Sequence, residues 1–344
     1  MIMSSSDPFS VSPGFKWLLG IAALMVILGA LKMAEAIVIP ILLAFFIAII
    51  CAPPLAWMTS HRVPPWLAIV ILVAGLVVFG SVLMLFVGSA IDTFTNRLPT
   101  YQARLQEEAV KLIPYFERLG LPVTREQLLQ HFNPASLMRL AGNALTNLGS
   151  LLTNLLLIVF IVIFLLLEAT LLTDKLHKAL PNAEKSLQQA GNFVRQVNTY
   201  LVIKTSISIA TGFLISIWLW ILGVDFAPLW GLIAALMNFI PNVGSILAAV
   251  PAVLLAVVQL SIADAALVAA GYIVVNMLMG NFLEPRFMGS GLGLSPLVVF
   301  LSLLIWGWMF GLAGMFLSIP LTMIAKIALE QNPSTRWIAI LLGH

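Results

Sequence analysis

Long apolar runs separated by short polar stretches dominate the chain, and their lengths predict helices of membrane-spanning size. Phe15 to Leu31, Ala36 to Met58, Val63 to Ile91 and Leu145 to Leu172 each read as one span, and Thr199 to Leu222 and Ile262 to Phe282 as two more. Pro40 falls early in the second span, where neighbouring helices or a local kink absorb the lost hydrogen bond. Two other stretches, Phe226 to Ala263 and Phe287 to Ala325, carry no charge and are broken near the middle by glycine and proline. At about 1.5 Å rise per residue, either one as a single helix would far exceed the roughly 30 Å hydrocarbon core, and two full spans plus a turn barely fit. A folded-back pair of short helices fits best, with hairpins at Pro228 to Leu260 and Pro296 to Leu329.

The two stretches also belong to a larger repeat. At one common offset Gly212 falls on Gly280, Gly223 on Gly291, Pro228 on Pro296 and Leu229 on Leu297. Each unit is a full span followed by its hairpin. A span crosses the membrane and a hairpin does not, so the second unit starts on the opposite side and the repeat is inverted. The predicted fold is therefore an all-α polytopic membrane protein with about eight hydrophobic segments, read as six crossings plus two re-entrant helical hairpins in an inverted repeat. Broken helices in matching positions of two half-repeats point to the substrate site of a secondary transporter working by alternating access.

Two segments between spans are amphipathic. In 92–144, predicted to be external, Leu105, Ala109, Leu112, Ile113, Phe116 and Leu119 fall at helical spacing opposite Arg104, Glu107, Glu108, Lys111 and Glu117. A second helix is expected at Thr124, with Gln127 completing a capping box, and a third at Asn133 with Pro134 in its first turn. The segment reads as a cap packed between spans or protomers, with ligand capture as the alternative. After the fourth span, Asn182 is a possible cap and Leu187, Ala190, Val194, Val197 and Leu201 form one stripe that runs into the fifth span. Its basic residues would meet anionic lipid head groups.

Composition narrows the class. A chain of 344 residues that is 61% hydrophobic and 9% charged cannot cover a soluble globule with polar surface. The net charge of +3 comes from scattered loop residues with no basic block, which argues against nucleic acid as a partner. Cys51 stands alone in an apolar run, so neither an internal disulfide nor a cysteine metal site is expected. The N-terminus, with Asp7 and no basic cluster, does not read as a cleaved signal. With both termini inside, the short cytoplasmic segments carry Lys16, Arg62, Lys175, Lys178, Lys185, Arg195, Lys204, Arg286, Lys326 and Arg336, against Lys32 alone outside.

Polar groups at membrane depth are costly unless they pair or face a cavity, which makes them the candidates for chemistry. Asn238, Pro241, Asn242 and Gly244 sit at the tip of the first hairpin, where an opened helix frees backbone groups and the amides add donors and acceptors. They suit a neutral, hydroxyl-rich solute, or they cap the two half-helices. Lys204, Thr205, Ser206, Ser208 and Thr211 make the start of the fifth span polar; the hydroxyls line a path or glue helices, and Lys204 is near enough to the interface to snorkel. Glu168 is expected to reach the head-group region as well. The second repeat offers Asn276, Asn281, Glu284 and Arg286, then a glycine-rich loop from Gly289 to Gly293, with Gly311 and Gly314 at the second tip. Glu284 and Arg286 flank Pro285 and read as an interfacial pair, or Glu284 as a proton or sodium site. No strand precedes the glycines, and His61, His131, His177 and His344 are scattered, so nucleotide, metal and nucleophilic-triad readings have no support and no cofactor is expected.

The runs FIPNVGSILAAVP from Phe239 and NFLEPRFMGSGLGLSPLVVF onward from Asn281, with RLPTY from Arg97 and YLVIKTSISIATG from Tyr200, resemble the autoinducer-2 exporter family over nearly the whole chain. Pro241, Asn242, Gly244, Glu284 and Pro285 match its signature positions. The resemblance implies an inner-membrane exporter of autoinducer-2, a small polyhydroxylated signal, built as a homopentamer with an elevator-like moving half. Residues 199–329 would then be the moving unit; 1–91, the external 92–144 and the fourth span with its cytoplasmic helix in 145–198 the scaffold; and 330–344 a cytoplasmic tail. Some relatives are associated with sodium or lithium exchange for protons, so a cation antiporter using Glu284 is the alternative. A non-transporting scaffold protein is a third reading, which leaves the broken hairpins unexplained.

Overall fold

The computed structural model describes residues 13–111, 154–179, 183–241, 243–288, 293–331 and 334–343. Among them every regular element is helical. Helices α1 (Pro13–Met33), α2 (Glu35–Ser60), α3 (Pro65–Lys111) and α4 (Leu155–Ala179) come first. Ala44, Cys51 and Leu55 of α2 pack on Ala68 and Ile69 of α3 and on Ile158, Val162 and Leu166 of α4. The Cys51 thiol is buried in this apolar core.

Helix α3 differs from expectation. It is one helix of 47 residues, about 70 Å long, and it runs straight through the predicted boundary at residue 91. The shift from apolar to amphipathic character falls inside the helix, and nothing there ends it; Pro99 is accommodated inside the helix at an exposed position. The predicted caps at Thr124, Asn133 and Asn182 lie outside the described residues.

Helix α5 (Ala183–Ile221) joins the amphipathic stretch and the fifth span without interruption, as the continuous stripe predicts. After it the chain forms two short helices, α6 (Ala227–Met237) and α7 (Val243–Gln259), of 11 and 17 residues. These correspond to about 16 and 26 Å, so the first arm covers roughly half of a hydrocarbon core. The base of this hairpin is closed by Gln259, whose side chain accepts from the Asp225 backbone N–H at 2.8 Å and donates to the Gly223 carbonyl at 3.1 Å. Gly212 and Gly231 let α5 and α6 touch backbone to backbone, since a Cβ on either would meet the other's carbonyl.

Helix α8 (Ile262–Asn276) begins at Ser261, whose hydroxyl accepts from the Asp264 N–H and donates to its carboxylate. It continues through a π-helical turn, Met277–Leu283, into α9 (Glu284–Met288). Helix α10 (Pro296–Gln331) breaks at Phe310 and at Gly311, whose φ of 58° and ψ of −141° suit only glycine. The Trp306 indole donates to the Thr322 hydroxyl at 3.0 Å. Sixteen residues of straight helix would separate them by about 24 Å, so α10 is folded back on itself. Helix α11 (Arg336–Leu341) follows and returns to Ser295, whose N–H donates to the Leu342 carbonyl.

The first hairpin shares a core with the C-terminal half of α3 through Val87, Ala90, Phe94 and Tyr101. The second packs on Phe46 and Ile49 of α2 and on Val197, Tyr200 and Leu201 of α5. The tips approach each other, with the Phe239 and Phe316 rings 5.9 Å apart. By length and composition, five helical segments among the described residues suffice to cross a membrane: Glu35–Ser60, Pro65–Arg97, Val194–Ile221, Ile262–Phe287 and Pro296–Glu330. The last of these is the one folded at Gly311. The molecule is an all-helical, multi-pass membrane protein.

Candidate functional site

Two elements bring charge into the bundle. Lys204 of α5 donates to both carboxylate oxygens of Glu284 at the start of α9, at 2.6 and 2.7 Å. The lysine side chain is 4% exposed and the glutamate 18%, so the pair is shielded from solvent along the span. This corrects two expectations. Lys204 does not snorkel to an interface, because a carboxylate within its reach offers a better partner than the head groups. Glu284 does not pair with Arg286, which is exposed; two residues on, the helix has carried that side chain to another face.

Around this pair lies a cavity of about 90 Å³, lined by Lys204, Asn238, Ile240, Pro241, Ser245, Asn276, Gly280, Asn281 and Glu284. It joins the tip between α6 and α7, helix α5 and the segment from the end of α8 to the start of α9. The buried Asn238 amide donates to the Ser208 hydroxyl at 3.0 Å, which leaves its carbonyl oxygen available. Thus Asn238 ends α6 without a side-chain cap and instead ties the tip to α5. Ser206 and Thr211 donate to Val202 and Ile207 carbonyls of their own helix, so of the hydroxyl stripe only Ser208 reaches across. Thr205 is half-buried and does not line the cavity.

The π turn shapes the third wall. In a regular α-helix Asn276 and Asn281 would point about 140° apart. Within a π turn residues five apart stack, and both amides face the cavity with Glu284. A pattern search at a period of 3.6 misses this face; the only sequence signal for it is the clustering of Asn276, Asn281 and Glu284 in an apolar span.

The remaining predicted site residues serve the backbone. Gly244 lies against the Met237 carbonyl and Gly314 against the Trp306 carbonyl, so each second arm starts in contact with the last turn of the first. Gly311 makes the second tip, away from the ion pair's cavity. Asn242 lies outside the described residues. Glu168 pairs with Lys175 at 2.6 Å on an exposed face of α4.

A second polar cluster, carried by the RLPTY run, links α3 to the first hairpin. Arg97 and Tyr101 both donate to one oxygen of Asp225, at 2.6 and 2.8 Å, and the Arg97 guanidinium also lies 5.9 Å from the Phe226 ring centroid. Tyr101 lies beyond the apolar part of α3; burial first, then its bond to Asp225, push its hydroxyl from 10.0 up to about 12. The raised group contributes fully below the unfolded range near 10.0 and is lost only as pH rises through about 12. Tyr101→Phe should therefore destabilise the fold by about 1 kcal/mol, equally at acidic and neutral pH, as read by thermal unfolding in detergent.

A multi-pass helical protein with a buried ion pair, an amide-lined cavity and broken helices is built as a membrane carrier. The AI-2E family transporter profile matches residues 21–334, and the chain belongs to this family. It is 40% identical over 338 residues, 98% of each chain, to the AI-2 transport protein TqsA of Escherichia coli (strain K12). It is also 40% identical over 332 residues, 95% of each chain, to a putative transport protein of Haemophilus influenzae (strain ATCC 51907 / DSM 11121 / KW20 / Rd). The putative transport protein YhhT of Escherichia coli (strain K12) is 35% identical over 330 residues, 96% of this chain and 95% of the relative.

Proposed function

We propose that the protein exports autoinducer-2, or a similar small polyhydroxylated solute, across the bacterial inner membrane, with the cavity around Lys204 and Glu284 as the carrying site. The observation that carries this reading is the convergence of Asn238, Asn276, Asn281 and the ion pair on one cavity, contributed by α5, the tip between α6 and α7, and the π turn between α8 and α9. Amide groups and a charged pair supply paired donors and acceptors, which is what a polyol needs on leaving water. The relative described as an AI-2 transport protein covers the same length of chain and supports the solute class.

In this reading the two hairpins are re-entrant, their tips meet near mid-membrane, and residues 199–329 move as an elevator-like secondary transporter. The Arg97, Tyr101 and Asp225 contact then lies at the boundary between moving and fixed parts. Both termini are cytoplasmic, as the distribution of lysine and arginine implies. The assembly is a homopentamer, as the family resemblance implies, with lipid on its outer faces.

One observation favours the sodium or lithium antiporter as a second reading: a carboxylate stands inside the polar cavity. Both of its oxygens are engaged by Lys204, so a cation would have to displace the ammonium group. Efflux from proteoliposomes, with and without imposed proton and sodium gradients, separates the readings. Under the export reading the wild type releases autoinducer-2 faster than empty vesicles, and Asn238→Ala slows release on the order of tenfold through its lost amide contacts. Sodium-driven proton movement without solute release would establish the antiporter instead.

A further inference from the structure

A second cavity, a vestibule of about 540 Å³, takes part of its wall from α5 in the turns before Lys204. It is lined by Arg195, Thr199 and Tyr200 of α5, by Gly293, and by Lys326 and Glu330 at the end of α10. Lys326 donates to the Gly293 carbonyl at 2.6 Å and lies 3.7 Å from Glu330, so its charge is largely answered. Arg195 has no carboxylate partner among the described residues, so its guanidinium is the vestibule's charge left unpaired among them.

Tyr200 is the wall residue of this vestibule nearest along α5 to Lys204 on the same helix face. One helical turn before Lys204, it lines the vestibule while Lys204 lines the inner cavity. Its residue surface is 3% exposed, and its hydroxyl is buried with no hydrogen-bond partner. A buried phenol left unbonded in the wall of a polar vestibule carries a free-energy penalty that a solute hydroxyl or oxyanion would remove.

We propose that the vestibule is a second solute site taking a small polyhydroxylated anion, and that the Tyr200 ring is the partition between it and the Lys204–Glu284 cavity. The inference rests on the reading of the inner cavity as the carrying site. Arg195 supplies the charge and a fork of donors, Thr199 adds a hydroxyl, and Tyr200 offers its unbonded hydroxyl at the inner end.

The test uses the full-length protein in oriented vesicles on a Cys51→Ser background, with reagents added on the Arg195 side. A thiol introduced by Thr199→Cys is modified with the anionic sulfonatoethyl and the cationic trimethylammonioethyl methanethiosulfonates, each normalised to its rate with a free thiol in solution. The anionic reagent should be favoured by roughly tenfold, and Arg195→Gln should remove that preference. D-glycerate should slow the modification and glycerol should not. A thiol introduced by Gly280→Cys, where a side chain has room, should stay unreactive with Tyr200 or Tyr200→Phe in place and become reactive in Tyr200→Ala. Equal or faster reaction of the cationic reagent, no protection by glycerate, or free reaction at position 280 with Tyr200 intact would each overturn the proposal. Failure of the carrying-site reading shows separately, as Asn238→Ala leaving autoinducer-2 efflux unchanged.

Discussion

Lys204→Met should abolish solute efflux and lower the unfolding midpoint, and Glu284→Gln should do the same by stranding the opposite charge. Each partner is the other's main compensation in a site almost closed to solvent. Removing one charge from such a pair typically costs about 3–5 kcal/mol, whereas replacing both is often far milder. The double variant Lys204→Met with Glu284→Gln is therefore expected to unfold close to the wild-type midpoint while remaining inactive. A double-mutant cycle on thermal unfolding in detergent gives the coupling directly. Additive losses would show that the pair does not stabilise the bundle, and an active double variant would remove it from the transport site.

The second large effect is steric. An alanine methyl at Gly244 would overlap the Met237 carbonyl, and one at Gly314 would overlap the Trp306 carbonyl. Backbone atoms of a tight helical turn cannot rotate aside as a flexible side chain can, so either tip has to open. Gly244→Ala and Gly314→Ala should each cost on the order of 1–3 kcal/mol and reduce the yield of folded protein. Gly280→Ala is the control, because the nearest atom to its new methyl is the Asn276 Oδ1 at 3.5 Å, an ordinary contact. Unchanged unfolding midpoints for the two tip variants would mean that the hairpins do not depend on these approaches.

What could be read from the sequence follows from how local each signal is. Pro241 and Gly311 interrupt apolar runs too long for one span, and both breaks appear where those residues stand. The continuous stripe from Leu187 to Leu201 gave the uninterrupted α5 for the same reason, since periodicity is a property of neighbours. Asn238, Asn276, Asn281 and Glu284 were legible as polar groups in apolar surroundings, and the cavity gathers them. The partner of Glu284 was not legible. Lys204 is 80 residues away, and nothing within either helix records which of them will face the other. Arg286, two positions from Glu284, was the nearer candidate along the chain and the wrong one in space. The continuity of α3 through residue 91 was missed because a change of polarity looks like a boundary even where no cap or breaker ends the helix.

The π turn at Met277–Leu283 has a consequence for comparing members of this family. It absorbs one extra residue within the helix, keeping the flanking turns in register without adding a loop. A homologue one residue shorter between Asn276 and Glu284 would run as a smooth α-helix and still present its carboxylate to the lysine of α5, whereas one of equal length without the π turn would rotate that carboxylate by about 100°. A single-residue gap at this point in an alignment therefore marks a helix that has lost the π turn while keeping the geometry of the ion pair.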